Sequence, residues 1–179
     1  AKPQIIIKGS NRLNEFLKTA TSIEKITIGC SGKKVYKIRK KSKVFYLKVA
    51  NHLSKESISL DYLKDKVIVP EKVFYEKYKS MSYLLTKSLN GIMLCDDYFD
   101  VHVMEGIDII VEAFNALYNI DYSDCVIDET IPVKIKRIEE NIGLIKEEDI
   151  KKEILDRFHT KQAILKYLKG NMPKQIIGF

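Results

Sequence analysis

The sequence is poor in cysteine and has no long apolar run, and each shortage argues against a class of protein. Only three of its 179 residues are cysteines, Cys30, Cys95 and Cys125, and they lie far apart in the chain. Their odd number and wide spacing match neither a disulfide framework nor paired metal ligands, which favours a reducing cytoplasm as the location. Because uninterrupted apolar runs are only a few residues long, we expect neither a membrane span nor a signal peptide.

Further absences argue against a metal centre and a repeat architecture. His102 and His159 have no companion cysteine or carboxylate at metal-ligand spacing, so we interpret both as incidental. The sequence contains no internal repeat and no low-complexity tract. Its hydrophobic content of 45% is normal for a packed core, and its length suits one ordinary domain or a small lobe with part of another.

The chain carries a surplus of positive charge. Its 31 lysine and arginine residues outnumber 24 acidic residues, which gives a net charge of +7. This surplus favours anionic partners such as nucleotide phosphates, nucleic acid or an acidic membrane face. Residues 33–43 are rich in lysine and favour nucleic acid, but the sequence has no recognised nucleic-acid-binding motif. We therefore expect a nucleotide partner, and neither nucleic acid nor a membrane.

Apolar spacing changes from strand-like to helix-like near residues 89–91. The first part predicts helices at 11–17, with Ser10 or Asn11 as cap, and at 54–64. It also predicts strands at 23–30, 33–39, 44–50, 73–78 and 82–89, the last two joined in a hairpin around Lys79-Ser80. Beyond the Asn90-Gly91 turn, apolar residues recur three and four apart in three stretches, which begin at Val103, Ile131 and Ile154. The sequence thus predicts an α+β fold with a β-rich lobe at 1–89 and a helical part at 90–179.

The segment 28–50 has the arrangement of a clamp for nucleotide phosphates. Gly29 and Gly32 flank a short turn in which the backbone can approach a ligand closely. In the strand that follows, Tyr46 and Lys48 share one face because successive side chains alternate. That face would leave Tyr46 to cover a base and Lys48 to reach phosphates. A lysine on a solvated strand and a tyrosine packed on the sheet are the ordinary alternatives.

Several motifs, taken in order, resemble the aminoglycoside phosphotransferases, and especially the 3′-phosphotransferases, which share the protein-kinase fold. The segment GCSGKKVYKI is similar to their nucleotide-positioning loop, in which Ser31 would lie near the phosphates. The segment FYLKVA is similar to the strand whose lysine contacts phosphates and whose tyrosine stacks on adenine, here Lys48 and Tyr46. In KESISLDYLKDKVIVPEKV, Glu56 matches the helix glutamate that pairs with the strand lysine.

Two more segments extend the resemblance towards the helical part. YLLTKSLNGIMLCDDY is similar to the last strand and the hinge, where the backbone of Lys87, Ser88 and Leu89 would face the base. FNALYNIDYSDC is similar to a helix end that often carries a histidine, where this chain has Tyr118 or Asn119. The resemblance therefore implies ATP or GTP as phosphate donor, magnesium as metal ion and an aminoglycoside antibiotic as acceptor.

The resemblance also implies acidic substrate contacts, because aminoglycosides are polycations. Glu148, Asp149 and Glu153 are the candidates, together with Glu147. Pairing of these carboxylates with Lys151 or Lys152 along a helix explains the same charges without a substrate.

The catalytic H-G-D motif of the family is absent, as are its metal-binding asparagine and aspartate. We therefore expect an amino-terminal fragment whose catalytic residues and magnesium ligands lie beyond residue 179, with the missing carboxy-terminal half as a further partner. A non-catalytic kinase-like module that binds nucleotide or protein, and a basic nucleic-acid-binding domain, are the alternatives.

Overall fold

A computed structural model describes Ile7 and residues 9–27, 33–94 and 96–172. The predicted phosphate loop, with Gly29, Ser31 and Gly32, lies outside the described residues, as do Cys30, Cys95 and residues 173–179. Of the three cysteines, the structure therefore describes Cys125, whose thiol is free.

A five-stranded antiparallel sheet, in the order β1-β2-β3-β5-β4, forms the centre of the first part of the chain. Its strands are β1 (Ser22–Ile26), β2 (Lys34–Lys40), β3 (Lys43–Ala50), β4 (Lys72–Tyr78) and β5 (Met81–Lys87). The predicted hairpin between β4 and β5 is confirmed, and its tip at Lys79 takes a left-handed conformation with φ of 55°. The bounds of β2, β3, β4 and β5 lie within a few residues of the predicted ones. Strand β1 ends at Ile26, whereas the sequence predicts a strand that continues to residue 30.

The helices are α1 (Asn11–Lys18), α2 (Ser54–Leu63), α3 (Tyr98–Val101), α4 (Val103–Tyr118), α5 (Ile131–Asn141), α6 (Lys152–Phe158) and α7 (Lys161–Gly170), with 3₁₀ turns at Ile142–Leu144 and Glu147–Asp149. Together with the antiparallel sheet they confirm the α+β class. None of the helices in the described ranges combines the length and the apolar character needed to cross a membrane.

One predicted helical stretch, from Ile154 to Leu168, is two helices in the structure. His159 has φ of 62°, a left-handed conformation that ends α6, and Thr160 accepts a hydrogen bond from the backbone N–H of Ala163 at the start of α7. The apolar spacing alone did not reveal this break, because both helices carry apolar residues at helical intervals.

The chain divides into two compact units, one up to Ile120 and one from Asp121 onwards. This division lies well beyond residue 89, where the sequence predicts the boundary between the nucleotide-binding lobe and the helical part. The predicted boundary between these parts stays a prediction. In the first unit, α1 packs on one face of the sheet, with Leu13 fully buried and the rings of Phe16 and Phe45 5.1 Å apart edge to face.

Helix α4 has the predicted apolar stripe but leaves much of it exposed. Its buried residue is Gly106, where a Cβ atom would come within 3.1 Å of the Phe99 ring of α3. The side chains of Ile107 and Phe114, by contrast, are 44% and 69% exposed. The periodicity correctly predicted a helix, but burial also requires a neighbouring element, which periodicity does not supply.

Candidate functional site

Strand β3 presents its two faces to different surroundings. Phe45, Leu47 and Val49 are buried in the core beneath α1, whereas Tyr46 and Lys48 lie on the opposite face and are partly exposed. In the sheet, Lys48 lies between Val35 of β2 and Leu84 of β5. The alternation therefore places the lysine in the middle of the sheet yet within reach of solvent, as predicted.

The expected ion pair between the strand lysine and the helix glutamate is present. Lys48 Nζ donates a hydrogen bond to Glu56 Oε1, which lies in the first turn of α2. The two side chains are 38% and 31% exposed, so a ligand that approaches this face can contact the ammonium directly. The roles of both residues in nucleotide binding remain predictions.

Helix α2 is held against the sheet by contacts that sequence reasoning missed. Lys72 of β4 donates a hydrogen bond to Ser57 Oγ over 2.9 Å and forms an ion pair with Asp61. Leu53 and Leu63, at the two ends of the helix, are buried. These contacts position Glu56 opposite Lys48. No local signal distinguished Lys72 from the other strand lysines.

A second lysine contacts the same carboxylate. Lys33 Nζ lies 3.5 Å from Glu56 Oε2, and its side chain is 37% exposed. Sequence reasoning did not select this residue. Its position directly after the predicted phosphate loop could have indicated a role at this site. Lys33 also lies two residues before Val35, the neighbour of Lys48 across the ladder, and so on the same face of the sheet.

Tyr46 lies on the same face of the sheet as Lys48, two residues earlier in β3. Its cross-strand neighbours are Lys37 of β2 and Thr86 of β5, and Thr86 Oγ1 donates to the Tyr46 backbone carbonyl over 3.4 Å. Alternation along β3 places the Tyr46 side chain on the predicted ligand face. Its stacking on a base stays a prediction.

The predicted hinge has only part of its backbone available to a base. The N–H of Lys87 donates to the Glu71 carbonyl over 2.8 Å, and the N–H of Ser88 donates to the Val44 carbonyl over 2.9 Å. Within the described residues, the N–H of Leu89 makes no hydrogen bond. Leu89 is therefore the remaining candidate for the hinge donor, because the N–H groups of Lys87 and Ser88 already donate to neighbouring strands.

The acidic residues predicted to contact the substrate lie in the second unit. Glu147, Glu148 and Asp149 form a 3₁₀ turn, and Glu153 follows in the first turn of α6. Glu148 pairs with Lys146 over 3.3 Å, with both side chains more than 70% exposed. The ion pair that the structure describes for Glu148 is thus with Lys146 rather than with Lys151 or Lys152. Substrate contact stays a prediction.

Comparison with known proteins finds similarity, in sequence and in fold, to aminoglycoside phosphotransferases. No family model matches the chain. An aminoglycoside 3′-phosphotransferase of Campylobacter jejuni is 26% identical over 161 residues, which cover 84% of this chain and 64% of the relative. The aminoglycoside 3′-phosphotransferase of Enterococcus faecalis is 25% identical over 124 residues, which cover 64% of this chain and 47% of the relative. The chain therefore spans about half to two thirds of the length of these relatives.

Solved structures show the same fold. The aminoglycoside-3′-phosphotransferase of type VIII superposes with a TM-score of 0.66 at 20% identity, over 91% of this chain and 63% of that chain. The aminoglycoside phosphotransferase APH(4)-Ia gives a TM-score of 0.52 at 15% identity, over 63% and 39% of the two chains. These findings confirm the predicted resemblance: the chain is related to the aminoglycoside phosphotransferases and has their kinase-like α+β fold.

Proposed function

We propose that this chain is the nucleotide-binding part of an aminoglycoside O-phosphotransferase, a cytoplasmic resistance enzyme. The whole protein would transfer the terminal phosphate of ATP or GTP to a hydroxyl of an aminoglycoside antibiotic. The observation that carries the proposal is the Lys48–Glu56 ion pair, which joins the sheet to α2 on the face opposite the core. A thermostable mutant of APH(4)-Ia with this fold (TM-score 0.50, 14% identity) was solved in a ternary complex with ADP and hygromycin B.

The geometry suits phosphate binding because phosphoryl transfer depends mainly on positioning and on neutralising negative charge. Lys48 supplies a positive charge, and Glu56 fixes the direction of its side chain without enclosing it. In the described residues no group of three or more His, Cys, Asp or Glu side chains is arranged to hold a metal ion. On the resemblance to the aminoglycoside phosphotransferases, we propose that the magnesium ligands and the catalytic base lie beyond residue 179.

The acceptor would be held by carboxylates, since aminoglycosides are polycations. Glu148, Asp149 and Glu153 are the proposed contacts, and all three are exposed, so that the ammonium groups of a ligand can approach them. Their pairing with a substrate would resemble the ion pair that Glu148 already makes with Lys146.

Nucleotide-consumption assays of the whole protein test the proposed activity. With ATP or GTP, magnesium and kanamycin, we expect consumption that depends on the antibiotic. Nucleotide binding without any antibiotic-dependent turnover would favour a non-catalytic kinase-like module. Salt-dependent retention on DNA, without nucleotide binding, would favour the nucleic-acid-binding alternative.

Proline at position 89 is expected to weaken nucleotide binding about three- to ten-fold, the effect of losing one hydrogen bond. Proline removes the backbone N–H that the structure leaves available, whereas Leu89→Ala keeps it. Calorimetric titration with ATP and magnesium compares both variants with the parent, and circular dichroism checks that each variant folds. If folded Leu89→Pro binds as tightly as Leu89→Ala, Leu89 is not the hinge donor.

A further inference from the structure

Glu56 is shared between two lysines that approach from different strands of the sheet. Lys48 of β3 contacts Oε1, and Lys33, directly before β2, lies 3.5 Å from Oε2. One carboxylate neutralises only one of the two ammonium groups. This corner of the site therefore carries a net positive charge on side chains that are both more than a third exposed.

The ladder explains why Lys33 reaches this position. Lys34 pairs with Val49 and Val35 pairs with Lys48, so Val35 and Lys48 point to the same face of the sheet. Lys33 stands two residues before Val35 and returns to that face, as its contact with Glu56 shows. Lys34 lies between Lys33 and Val35 and pairs with Val49, which places it on the other face of the sheet.

We propose that Lys33 is a second phosphate-binding residue, which acts with Lys48 on the di- or triphosphate of a nucleotide; this rests on the proposed function of the site. Lys48 donates a hydrogen bond to Glu56, whereas Lys33 makes an ion pair with it over 3.5 Å, so Lys33 is the cation more readily released from Glu56. A ligand with several phosphate charges would draw the Lys33 ammonium onto its outer phosphates. Lys48 would keep Glu56 as its partner and contact the same ligand.

Substitution of Lys33 should therefore weaken polyphosphate binding selectively. For Lys33→Ala we expect Kd for ADP and ATP to rise about ten-fold, the effect of one charge-assisted contact, with Kd for AMP unchanged. Lys33→Arg should restore most of the affinity, because it retains the charge and its reach. The matched control is Lys34→Ala, which removes the same charge one residue away and should bind all three nucleotides like the parent.

Calorimetry with AMP, ADP and ATP on the 179-residue chain, together with thermal melting of each variant, separates the outcomes. A merely structural Lys33–Glu56 contact would lower the melting temperature and weaken all three nucleotides alike, which would contradict the proposal. If Lys48→Ala loses affinity while Lys33→Ala behaves like Lys34→Ala, the role of Lys33 is refuted and the proposed function stands. A parent chain that binds neither ADP nor ATP would refute both.

Discussion

Replacement of Leu47 by alanine is expected to lower the free energy of unfolding by about 2–5 kcal/mol, the range for a leucine deleted from a packed core. Leu47 has no exposed surface and lies in β3, between β2 and β5. Its neighbours across the two ladders are Tyr36 and Leu85, and both are buried. The smaller side chain would leave a cavity that hydrogen-bonded strands on both sides cannot close.

Hydrogen exchange of the β3 amides measures this loss in the sheet itself. The matched control is Lys43→Ala, an exposed residue of the same strand, for which we expect exchange close to that of the parent. If the β3 amides are as well protected from exchange in the Leu47→Ala variant as in the Lys43→Ala variant, the stability of the sheet does not depend on the Leu47 side chain.

Replacement of Lys48 by alanine is expected to reduce nucleotide affinity about ten- to a hundred-fold, the effect of one lost charge-assisted contact with phosphate. The fold should remain nearly intact, because Lys48 lies on the face of β3 opposite Phe45, Leu47 and Val49. Glu56 would keep its contact with Lys33, so the variant does not leave the carboxylate without a cation.

Calorimetric titration with ATP and magnesium tests this expectation. Lys37→Ala is the matched control, since Lys37 is a strand lysine that lies beside Tyr46 on the same face. We expect the control to bind like the parent. Equal affinity of Lys48→Ala and Lys37→Ala would remove Lys48 from the site, whatever the thermal stability of the two variants.

Local patterns predicted the elements of the sheet well. Alternation along β3 correctly separated the buried residues from Tyr46 and Lys48, because neighbouring side chains of a strand point to opposite faces. The turn at Lys79 and Ser80 and the helix after Ser10 were also correct, because turn and cap preferences depend on a few adjacent residues. The ion pair of Lys48 with Glu56 was implied by family resemblance and not by spacing.

Other features depended on contacts between distant segments. The break at His159 escaped prediction because apolar spacing continues on both sides of it. Apolar spacing correctly predicted the stripe of α4 but not its exposure, since periodicity records amphipathic character and not the presence of a neighbour. At the hinge, the ends of the ladders decided which backbone N–H groups are already engaged. Of the three predicted donors, only the N–H of Leu89 donates no hydrogen bond within the described residues.

The sequence by itself determined the α+β class, the order of strands and helices, and the face of β3 that carries Lys48, because these follow from local periodicity and turn chemistry. Only the tertiary structure decided that Lys33 and Lys48 share Glu56 and that Lys72 holds α2 against the sheet. These contacts join residues on different elements, and their distances are set by the pairing of strands and the packing of a helix rather than by any spacing along the chain.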